Sequence, residues 1–279
     1  MLKVQSNKLL QPFVKWAGGK RQLLPDIRIY IPTKFNTYFE PFLGGAAVLF
    51  NLQPAKAVVN DMNSELINVY RVIKFNYLEL IEELKTFENS EEFFYSVREW
   101  DRKEDYKNFS SIKKAARIIY LNKTCYNGLF RVNSQGQFNA PFGNYKNPNI
   151  INEFTVKAVH NYLNENEIAF YDGDFEDVLQ LAAKNDFVYM DPPYDPISDV
   201  SSFTGYTFNG FGPIEQYRLQ KACDSLNDKG VKFLLSNSST DLIKDLYKKY
   251  KIEIVQANRS INSIADRRGK IDELLIRNY

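Results

Sequence analysis

The sequence predicts an α/β fold, and three observations support this prediction. Seven short apolar stretches rich in β-branched or aromatic residues have the pattern of strands; they cover 36–42, 55–61, 168–174, 186–192, 231–238, 251–258 and 271–278. Most are separated by segments with apolar residues at helical spacing, the clearest at 63–75, 174–184, 214–228 and 240–250. This alternation predicts a mostly parallel sheet of about seven strands with helices on both faces. The last two stretches have no helical pattern between them, which indicates an antiparallel hairpin at the sheet edge.

About a hundred residues of different character follow the second predicted strand. They contain helical patterns near 77–103 and 110–126, and then a turn-rich stretch at 126–149. We therefore expect residues 71–150 to form an inserted, mainly helical domain. Residues 1–70 and 151–279 would together form the domain that contains the sheet.

Composition excludes several classes of protein. The 279 residues are 44% hydrophobic and 25% charged, which suits an ordinary globular core. No apolar run is long enough to span a membrane and the N-terminus lacks a signal peptide, so we expect a soluble, cytoplasmic protein. Cys125 and Cys223 are far apart and His160 is the single histidine, which argues against disulfide frameworks, zinc sites and histidine-based triads.

The distribution of charge is more informative than the net charge of +2. Residues 111–150 contain six basic side chains and no Asp or Glu; the six are Lys113, Lys114, Arg117, Lys123, Arg131 and Lys146. Residues 1–30 are also mainly basic, whereas 81–105 are acidic. A solvated surface would explain any one of these clusters. The absence of acids over forty residues favours binding to a polyanion.

Unusual residues follow the predicted strands at the points where ligands bind in open α/β sheets. Gly44 and Gly45 come after the first strand, where glycine allows a tight backbone turn against a ligand, although a plain strand-to-helix turn would also explain them. Asp61 ends the second strand and suits the hydroxyls of a ribose. Asp174 ends the third and could accept a hydrogen bond from an adenine amino group or cap a helix. The sequence has no dinucleotide or P-loop motif, so S-adenosylmethionine, an adenosine without a phosphate chain, fits best.

The fourth strand ends in the word "DPPY", Asp191 to Tyr194. Asp191 and the Pro192 carbonyl could each accept one hydrogen of an exocyclic amino group, while Tyr194 could stack on the attached base. Pro192 and Pro193 fix the backbone dihedrals in this arrangement. In-line methyl transfer then depends on positioning and needs no metal, but a base in a duplex must first be flipped out. A rigid turn after a buried strand is the simpler alternative for this word.

Together these motifs resemble the Dam-type DNA adenine methyltransferases, in which a cofactor motif is followed by a target-recognition domain and then by DPPY. Within that family the chain is most like the GATC-methylating enzymes of DpnII-type restriction systems. The resemblance covers nearly the whole chain, from "PFVKWAGGKRQLL" through "YFEPFLGGAAVLF", "YNGLFRVNSQGQFNAPFGNYKNP" and "DPPYDPIS" to "RSINSIADRRGKIDELLI". It implies a Rossmann-like methyltransferase sheet that binds S-adenosylmethionine, with an inserted domain that binds double-stranded DNA.

The resemblance also assigns residues to each part of the site. Cofactor contacts are expected from Trp16, Gly18, Gly19, Lys20, Glu40, Phe42, Gly44, Gly45, Asp61 and Asp174, and adenine contacts from Asp191, Pro192, Pro193 and Tyr194. DNA contacts are expected from Lys15 and Arg131 at guanines, from Tyr126, Asn127, Leu129 and Pro141 near the central base pairs, and from Lys113, Lys114, Arg117 and Lys146 at phosphates. We also expect the loop 195–212 to close over the flipped base. In one departure from the family motif, Ala46 replaces its second glycine.

Other functions would require other residues in these motifs. Cytosine amino methyltransferases typically have Ser in place of Asp191, and RNA or protein-glutamine methyltransferases commonly have Asn. A zinc base deaminase is excluded because its metal signature is missing. A non-enzymatic DNA-binding module would not need the cofactor residues. We expect a monomer that acts on DNA in a bacterial or phage context. We also consider a functional link to a cognate restriction endonuclease.

Overall fold

The computed structural model of the chain describes residues 7–16, 18–196, 210–258 and 270–279. Most of the loop that is predicted to close over a base, 197–209, lies outside these residues. The connection between the last two strands, 259–269, also lies outside them.

Within the described residues, seven strands form one sheet, as the alternation predicts. They are β1 (Tyr38–Glu40), β2 (Lys56–Asn60), β3 (Glu167–Tyr171), β4 (Phe187–Met190), β5 (Lys232–Ser238), β6 (Lys251–Asn258) and β7 (Lys270–Arg277). The order across the sheet is β3-β2-β1-β4-β5-β7-β6, with β1 to β5 parallel. The predicted antiparallel pair is confirmed, because β7 lies between β5 and β6 and runs antiparallel to both.

Helices cover both faces of this sheet. They are α1 (Leu24–Tyr30), α2 (Ala47–Leu52), α3 (Ser64–Lys85), α4 (Glu91–Arg98), α5 (Ser111–Thr124), α6 (Glu153–Glu165), α7 (Phe175–Gln180), α8 (Pro213–Asp228) and α9 (Asp241–Leu246). Phe187 and Tyr189 of β4 belong to the core formed with α1 to α6, whereas Val188 and Met190 belong to the core formed with α7 to α9. Buried strands with two apolar faces are typical of a parallel sheet. No helix in the described ranges has both the length and the apolar character to cross a membrane.

Helix α3 joins two predicted helical segments into one. The Asn63 side chain accepts a hydrogen bond from the Leu66 amide and caps the helix at its start. At Asn76 the backbone leaves the helical region, with φ −138° and ψ 40°, and the helix then continues to Lys85. This kink lies between the two helical segments that the sequence predicts, 63–75 and the one that begins near 77. Because α3 crosses residue 70, the division of the chain at that residue stays a prediction.

The segment after α3 packs on the same core as one face of the sheet. Phe94, Tyr120 and Phe138 are buried in the cluster that also contains Tyr38 of β1. Trp16, from the N-terminal segment, stacks on Phe130 with ring centroids 4.9 Å apart. The turn-rich stretch is closed by isolated bridges, including one between Cys125 and Phe142.

One predicted DNA contact is wrong. Arg117 was expected at a phosphate, but its side chain is 1% exposed. One guanidinium nitrogen lies 2.6 Å from Asp101 Oδ2 and another lies 3.5 Å from Glu65 Oε2. Arg117 also donates to the backbone carbonyls of Val97 and Arg98. The guanidinium therefore fixes α5 to its neighbours and is not available to DNA.

We expect Arg117→Met to lower the free energy of unfolding by about 1–3 kcal/mol, because Asp101 keeps only Arg102 as a charged partner among the described residues and the carbonyls of Val97 and Arg98 lose this donor. Urea unfolding measures this change. Lys114→Met is the matched control on the same helix, and we expect it to alter stability by less than about 0.5 kcal/mol. Equal stability of the two variants would contradict the structural role of Arg117.

Candidate active site

The predicted cofactor and adenine residues that follow β1, β2, β3 and β4 lie at the carboxyl edge of the parallel strands. The strand order reverses between β1 and β4, because β2 and β3 follow on one side and β5 on the other. Such a reversal opens a crevice at the carboxyl ends of the two central strands. Glu40 ends β1 and Asp191 follows β4, so the two acids lie on either side of this crevice.

The glycine turn after β1 is held by hydrogen bonds and by its backbone conformation. The Gly44 amide donates to Asp61 Oδ2 at 2.9 Å, and the Gly44 carbonyl accepts from the Tyr70 hydroxyl at 2.8 Å. Gly44 has φ +48°, and a Cβ at this position would lie 2.9 Å from Trp16 Cδ1. Glycine is therefore required there by both conformation and space.

Ala46 occupies a position that also favours glycine. It is buried and caps α2 with φ 57° and ψ 35°, the left-handed region. A residue with a Cβ is disfavoured in this region by roughly 1–2 kcal/mol. The departure from the family motif therefore adds local backbone strain beside the predicted cofactor groove.

Asp61 is oriented by the backbone on both sides. Its Oδ1 accepts from the Asn63 amide at 2.9 Å, and its Oδ2 accepts from Gly44. Burial raises the pKa of this carboxyl, while the two amide hydrogen bonds oppose the shift. Each oxygen retains a lone pair that can accept a ligand hydroxyl.

Three phenylalanine rings pack against one another at this edge of the sheet. The ring of Phe42 lies 5.3 Å from that of Phe175 and 5.8 Å from that of Phe211. Asp174 caps α7, since its Oδ1 accepts from the Glu176 amide at 2.9 Å. The same oxygen accepts from Arg218 at 3.0 Å. The helix-cap interpretation of Asp174 is confirmed, and its contact with an adenine amino group stays a prediction.

The N-terminal motif contacts Asp191, the acid of the DPPY word. Lys20 is 6% exposed, and its Nζ lies 2.9 Å from Asp191 Oδ1 and 2.9 Å from the Gly18 carbonyl. Sequence reasoning placed Lys20 with the cofactor residues. The structure shows in addition that Lys20 is the ionic partner of Asp191.

Two carboxyls at this edge, the buried Glu40 and the partly buried Asp191, have raised pKa values. Burial raises the pKa of Asp191 from 3.8 to about 6; the Lys20 ammonium opposes this shift and the charge of Glu273 adds to it. Burial raises the pKa of Glu40 from 4.5 to about 8, against the hydrogen bond that its Oε2 accepts from the Tyr38 hydroxyl at 2.7 Å. At neutral pH, Asp191 is therefore largely ionised while Glu40 is largely protonated.

A buried polar network that sequence reasoning missed holds the DPPY loop from behind. Gln216 donates to the Pro193 carbonyl at 3.1 Å and accepts from Asn237 at 3.0 Å. The Asp195 amide donates to Asn237 at 3.3 Å, and the Asp195 carbonyl accepts from the Ser238 hydroxyl at 2.7 Å. Polar letters at the end of the apolar strand "KFLLSNS" were the signal for this network. Among the described residues, the Pro192 carbonyl accepts no hydrogen bond.

Tyr194 is also held at two points. Its hydroxyl donates to Glu273 Oε2 at 2.7 Å, and Lys20 Nζ lies 4.5 Å from the centroid of its ring. The ring is therefore fixed both at its hydroxyl and above one face.

The structure brings Lys15 next to the turn-rich stretch. Asn122 accepts from the Lys15 amide at 2.8 Å and donates to its carbonyl at 2.6 Å. The exposed Lys15 side chain lies with its Nζ 5.5 Å from the ring of Tyr145. The Tyr145 hydroxyl in turn accepts from the Asn127 amide at 3.0 Å. The exposed Tyr126 lies beside Pro141 through a 2.9 Å backbone hydrogen bond.

Arg131 is partly exposed and is oriented by a single partner. Its Nε donates to Asn139 Oδ1 at 2.7 Å, and one terminal nitrogen donates to the Asn139 carbonyl at 3.0 Å. The other terminal nitrogen lies outside this pair of contacts. Asn139 was not among the predicted site residues.

The predicted phosphate contacts are not all together. Lys113 and Lys114 lie at the first turn of α5 over aromatic rings, about 15 Å along the helix from Lys123. Burial lowers the pKa of Lys123, as do the nearby Lys15 and Arg21. Lys146 is exposed near the end of the turn-rich stretch. Phosphate binding by Lys113, Lys114 and Lys146 stays a prediction.

Comparison with known proteins agrees with this geometry. Residues 16–261 match the family described as "D12 class N6 adenine-specific DNA methyltransferase". The chain is 47% identical to the type II methyltransferase M1.LlaDCHI of Lactococcus lactis subsp. cremoris, over 99% of this chain and 98% of that one. It is 42% identical to the type II methyltransferase M.MjaIII of Methanocaldococcus jannaschii, over 97% and 99% of the two chains. It is 36% identical to the DNA adenine methylase of Escherichia coli K12, over 94% and 93%.

The raised pKa of Glu40 predicts a specific dependence of stability on pH. Its contribution to stability is fully present below pH 4.5 and is lost as the pH rises through about 8. Glu40→Gln stays neutral and can still accept from Tyr38, so its stability relative to the wild type should increase between pH 4.5 and 8. We expect a gain on the order of 2–5 kcal/mol, levelling off above pH 8.

Thermal or urea unfolding at several pH values measures this difference. Glu79→Gln, on an exposed position of α3, is the matched control and should differ from the wild type by the same small amount at every pH. A constant difference for Glu40→Gln as well would show that Glu40 does not titrate in this range.

Proposed function

The chain belongs to the D12 class of N6 adenine-specific DNA methyltransferases, and we propose that it transfers the methyl group of S-adenosylmethionine to an adenine flipped out of double-stranded GATC sites. The class itself establishes an enzyme that methylates adenine in DNA. The donor, the base flipping, the GATC target and the roles of single residues are our proposal. Its main support is the position of the DPPY word at the reversal of strand order, beside a groove suited to adenosine.

The cofactor groove is formed by the turn after β1 and by the acids after β2 and β3. Asp61 offers one lone pair on each oxygen to the two ribose hydroxyls, and the partly exposed ring of Phe42, which packs on Phe175, offers an aromatic surface to the adenine ring. Gly44 and Gly45 allow the backbone to approach the methionine portion. S-adenosylmethionine supplies an electrophilic methyl group on a sulfonium. The described residues fit this molecule because they include acceptors for a ribose and a partly exposed aromatic ring, and because the sequence has no P-loop motif.

Asp191 and Pro192 orient the amino group of the target adenine. Lys20 occupies Asp191 Oδ1, so Oδ2 accepts one amino hydrogen and the Pro192 carbonyl accepts the other. The Pro193 and Asp195 carbonyls are occupied by Gln216 and Ser238, which fixes the loop backbone that carries the acceptors. Tyr194 stacks on the base. Orientation of this kind can supply an effective molarity of roughly 10⁵ M or more.

Methylation requires the carboxylate form of Asp191, because a protonated acid cannot accept through both oxygens. Since burial raises the pKa of Asp191 to about 6, activity should fall as the pH is lowered through that value. Lys20 keeps the carboxylate available at neutral pH by opposing the effect of burial.

Sequence recognition belongs in this proposal to residues 71–150 together with Lys15, while residues 1–70 and 151–279 carry catalysis. Arg131 and Lys15 each read a guanine from the major groove. Tyr126, Asn127, Leu129 and Pro141 separate the central base pairs, and Lys113, Lys114 and Lys146 contact phosphates. Support comes from the exposure of Tyr126 and Lys15 on neighbouring parts of one surface. The names of the type II relatives suggest a functional link to a restriction endonuclease, and we propose that the protein acts as a monomer.

The first experiment combines labelled S-adenosylmethionine with plasmid DNA and two nucleases. One nuclease is blocked by adenine methylation at GATC and the other requires it. We expect incorporated label, protection from the first nuclease and cleavage by the second. Label without protection would remove the GATC assignment, and absence of label would contradict the choice of donor. Asp191→Ala should abolish incorporation and keep DNA binding, whereas Asp177→Ala, on the exposed side of α7, should retain both.

Arg131→Ala tests how the target is read. We expect discrimination against a substituted guanine to fall by about 1–3 kcal/mol at one position of the site, because a bidentate contact to that base is lost. Methylation rates on oligonucleotides with single substitutions measure this loss. Lys146→Ala is the control, and it should weaken binding equally on all sequences. A uniform loss for Arg131→Ala would instead make Arg131 a phosphate contact.

A further inference from the structure

The last strand carries a buried acid to which the proposed function gives no role. Glu273 is 9% exposed and lies on the same face of β7 as Leu275, which is completely buried. A carboxylate is rarely buried at such a position unless a partner holds it. The stretch "RGKIDELLI" that contains Glu273 is part of the family resemblance, but the sequence alone assigns no role to Glu273.

The direction of β7 explains where this acid lies. Because β7 is antiparallel, its first residues are at the edge where the parallel strands end, and Glu273 pairs in register with Ser238, the last residue of β5. The DPPY loop follows the adjacent strand β4 at the same edge. Glu273 Oε2 accepts a hydrogen bond of 2.7 Å from the Tyr194 hydroxyl.

A second contact fixes the plane of the same ring. Lys20 Nζ lies 4.5 Å from the centroid of Tyr194 and so occupies one of its faces. A hydrogen bond to a carboxylate is about twice as strong as one between neutral groups, so the hydroxyl is held firmly. With the hydroxyl and one face restrained, the ring offers only its other face to a ligand.

We propose that Glu273 is a positioning residue for methyl transfer, which holds Tyr194 so that one face of its ring receives the purine ring of the flipped adenine. This proposal rests on the proposed function, since it requires Tyr194 to stack on the base. Glu273 acts through Tyr194 and contacts neither the base nor the cofactor. The bond costs little when the base arrives, because the ring is already ordered.

The charge of Glu273 also affects the acid that accepts the amino group. In the part of the chain that the structure describes, Asp191 interacts electrostatically with five other titratable groups. They are Lys20, Glu40, Tyr189, Tyr194 and Glu273. Among them Lys20 lowers the pKa of Asp191, and Glu273 raises it. Removal of the Glu273 charge should therefore shift the acid limb of the activity profile to lower pH.

The test compares Glu273→Gln with Tyr194→Phe and with the double variant. Glutamine keeps the size and an acceptor oxygen but removes the charge, and phenylalanine keeps the ring but removes the donor. We expect each single variant to lower kcat about tenfold with KM for DNA within about twofold, and the double variant to be no worse than either. A target site with 2-aminopurine in place of the adenine reports stacking, and its fluorescence should be higher in both variants, because the loosened ring quenches it less.

Glu253→Gln on the neighbouring strand β6 is the matched control, since Glu253 pairs with Arg277 far from Tyr194 and should leave kcat and fluorescence unchanged. The acid limb of the profile of kcat against pH separates a positioning role of Glu273 from a purely structural one. We expect this limb at lower pH in Glu273→Gln and at the wild-type pH in Tyr194→Phe. Loss of stability in Glu273→Gln with wild-type kcat, fluorescence and pH profile would overturn the proposal. If Glu273→Gln failed to fold, wild-type kcat and fluorescence in Tyr194→Phe would overturn it from the other end of the same bond.

Tyr194→Ala distinguishes this proposal from the function on which it rests. Wild-type methylation by Tyr194→Ala would remove the stacking role of Tyr194, and with it the role of Glu273, while the proposed methyl transfer would stand. Defective methylation by Tyr194→Ala, together with normal kinetics of Glu273→Gln, would overturn the role of Glu273 alone.

Discussion

The buried ion pair between Lys20 and Asp191 is the interaction on which the site depends. It joins the N-terminal segment to the end of β4, and its two side chains are 6% and 20% exposed. A carboxylate in such a place is unfavourable without a nearby positive charge, so Lys20 makes an ionised acid possible there. The same ammonium lies over the ring of Tyr194, and so one charge contacts both the hydrogen-bonding and the stacking side of the proposed base pocket.

Periodicity predicted the sheet well because its central strands β1 and β4 are buried on both faces and because helices separate most of the strands. The strand-end residues were also predictable, since the carboxyl ends of parallel strands meet at one edge. The course of α3 was not, because a single residue, Asn76, bends the helix without ending it. The prediction that Arg117 contacts a phosphate was wrong for a different reason. Its partners Asp101 and Glu65 are distant in sequence, and local charge composition does not show which cations are neutralised in the fold.

The residues that sequence reasoning missed are polar groups in apolar surroundings. Asn237 and Ser238 end a largely apolar strand, and Glu273 lies in the first half of another. Their pattern shows that something must satisfy them, but only the register of β5 and β7 shows that the partners are backbone and phenol groups of the DPPY loop. The value of φ at Ala46 likewise could be seen only in the structure, although the missing glycine was evident from the motif.

Helix α3 and the stack of Trp16 on Phe130 limit how new specificities can arise in this framework. An exchange of segments between relatives with a junction near residue 70 would divide a continuous helix, and it would pair Trp16 with a foreign partner. Successful chimaeras should therefore keep α3, α5 and α6 from one parent. If residues 126–149 read the DNA as proposed, the recognised sequence diverges most easily by point substitution of their exposed side chains, which leaves the shared core undisturbed.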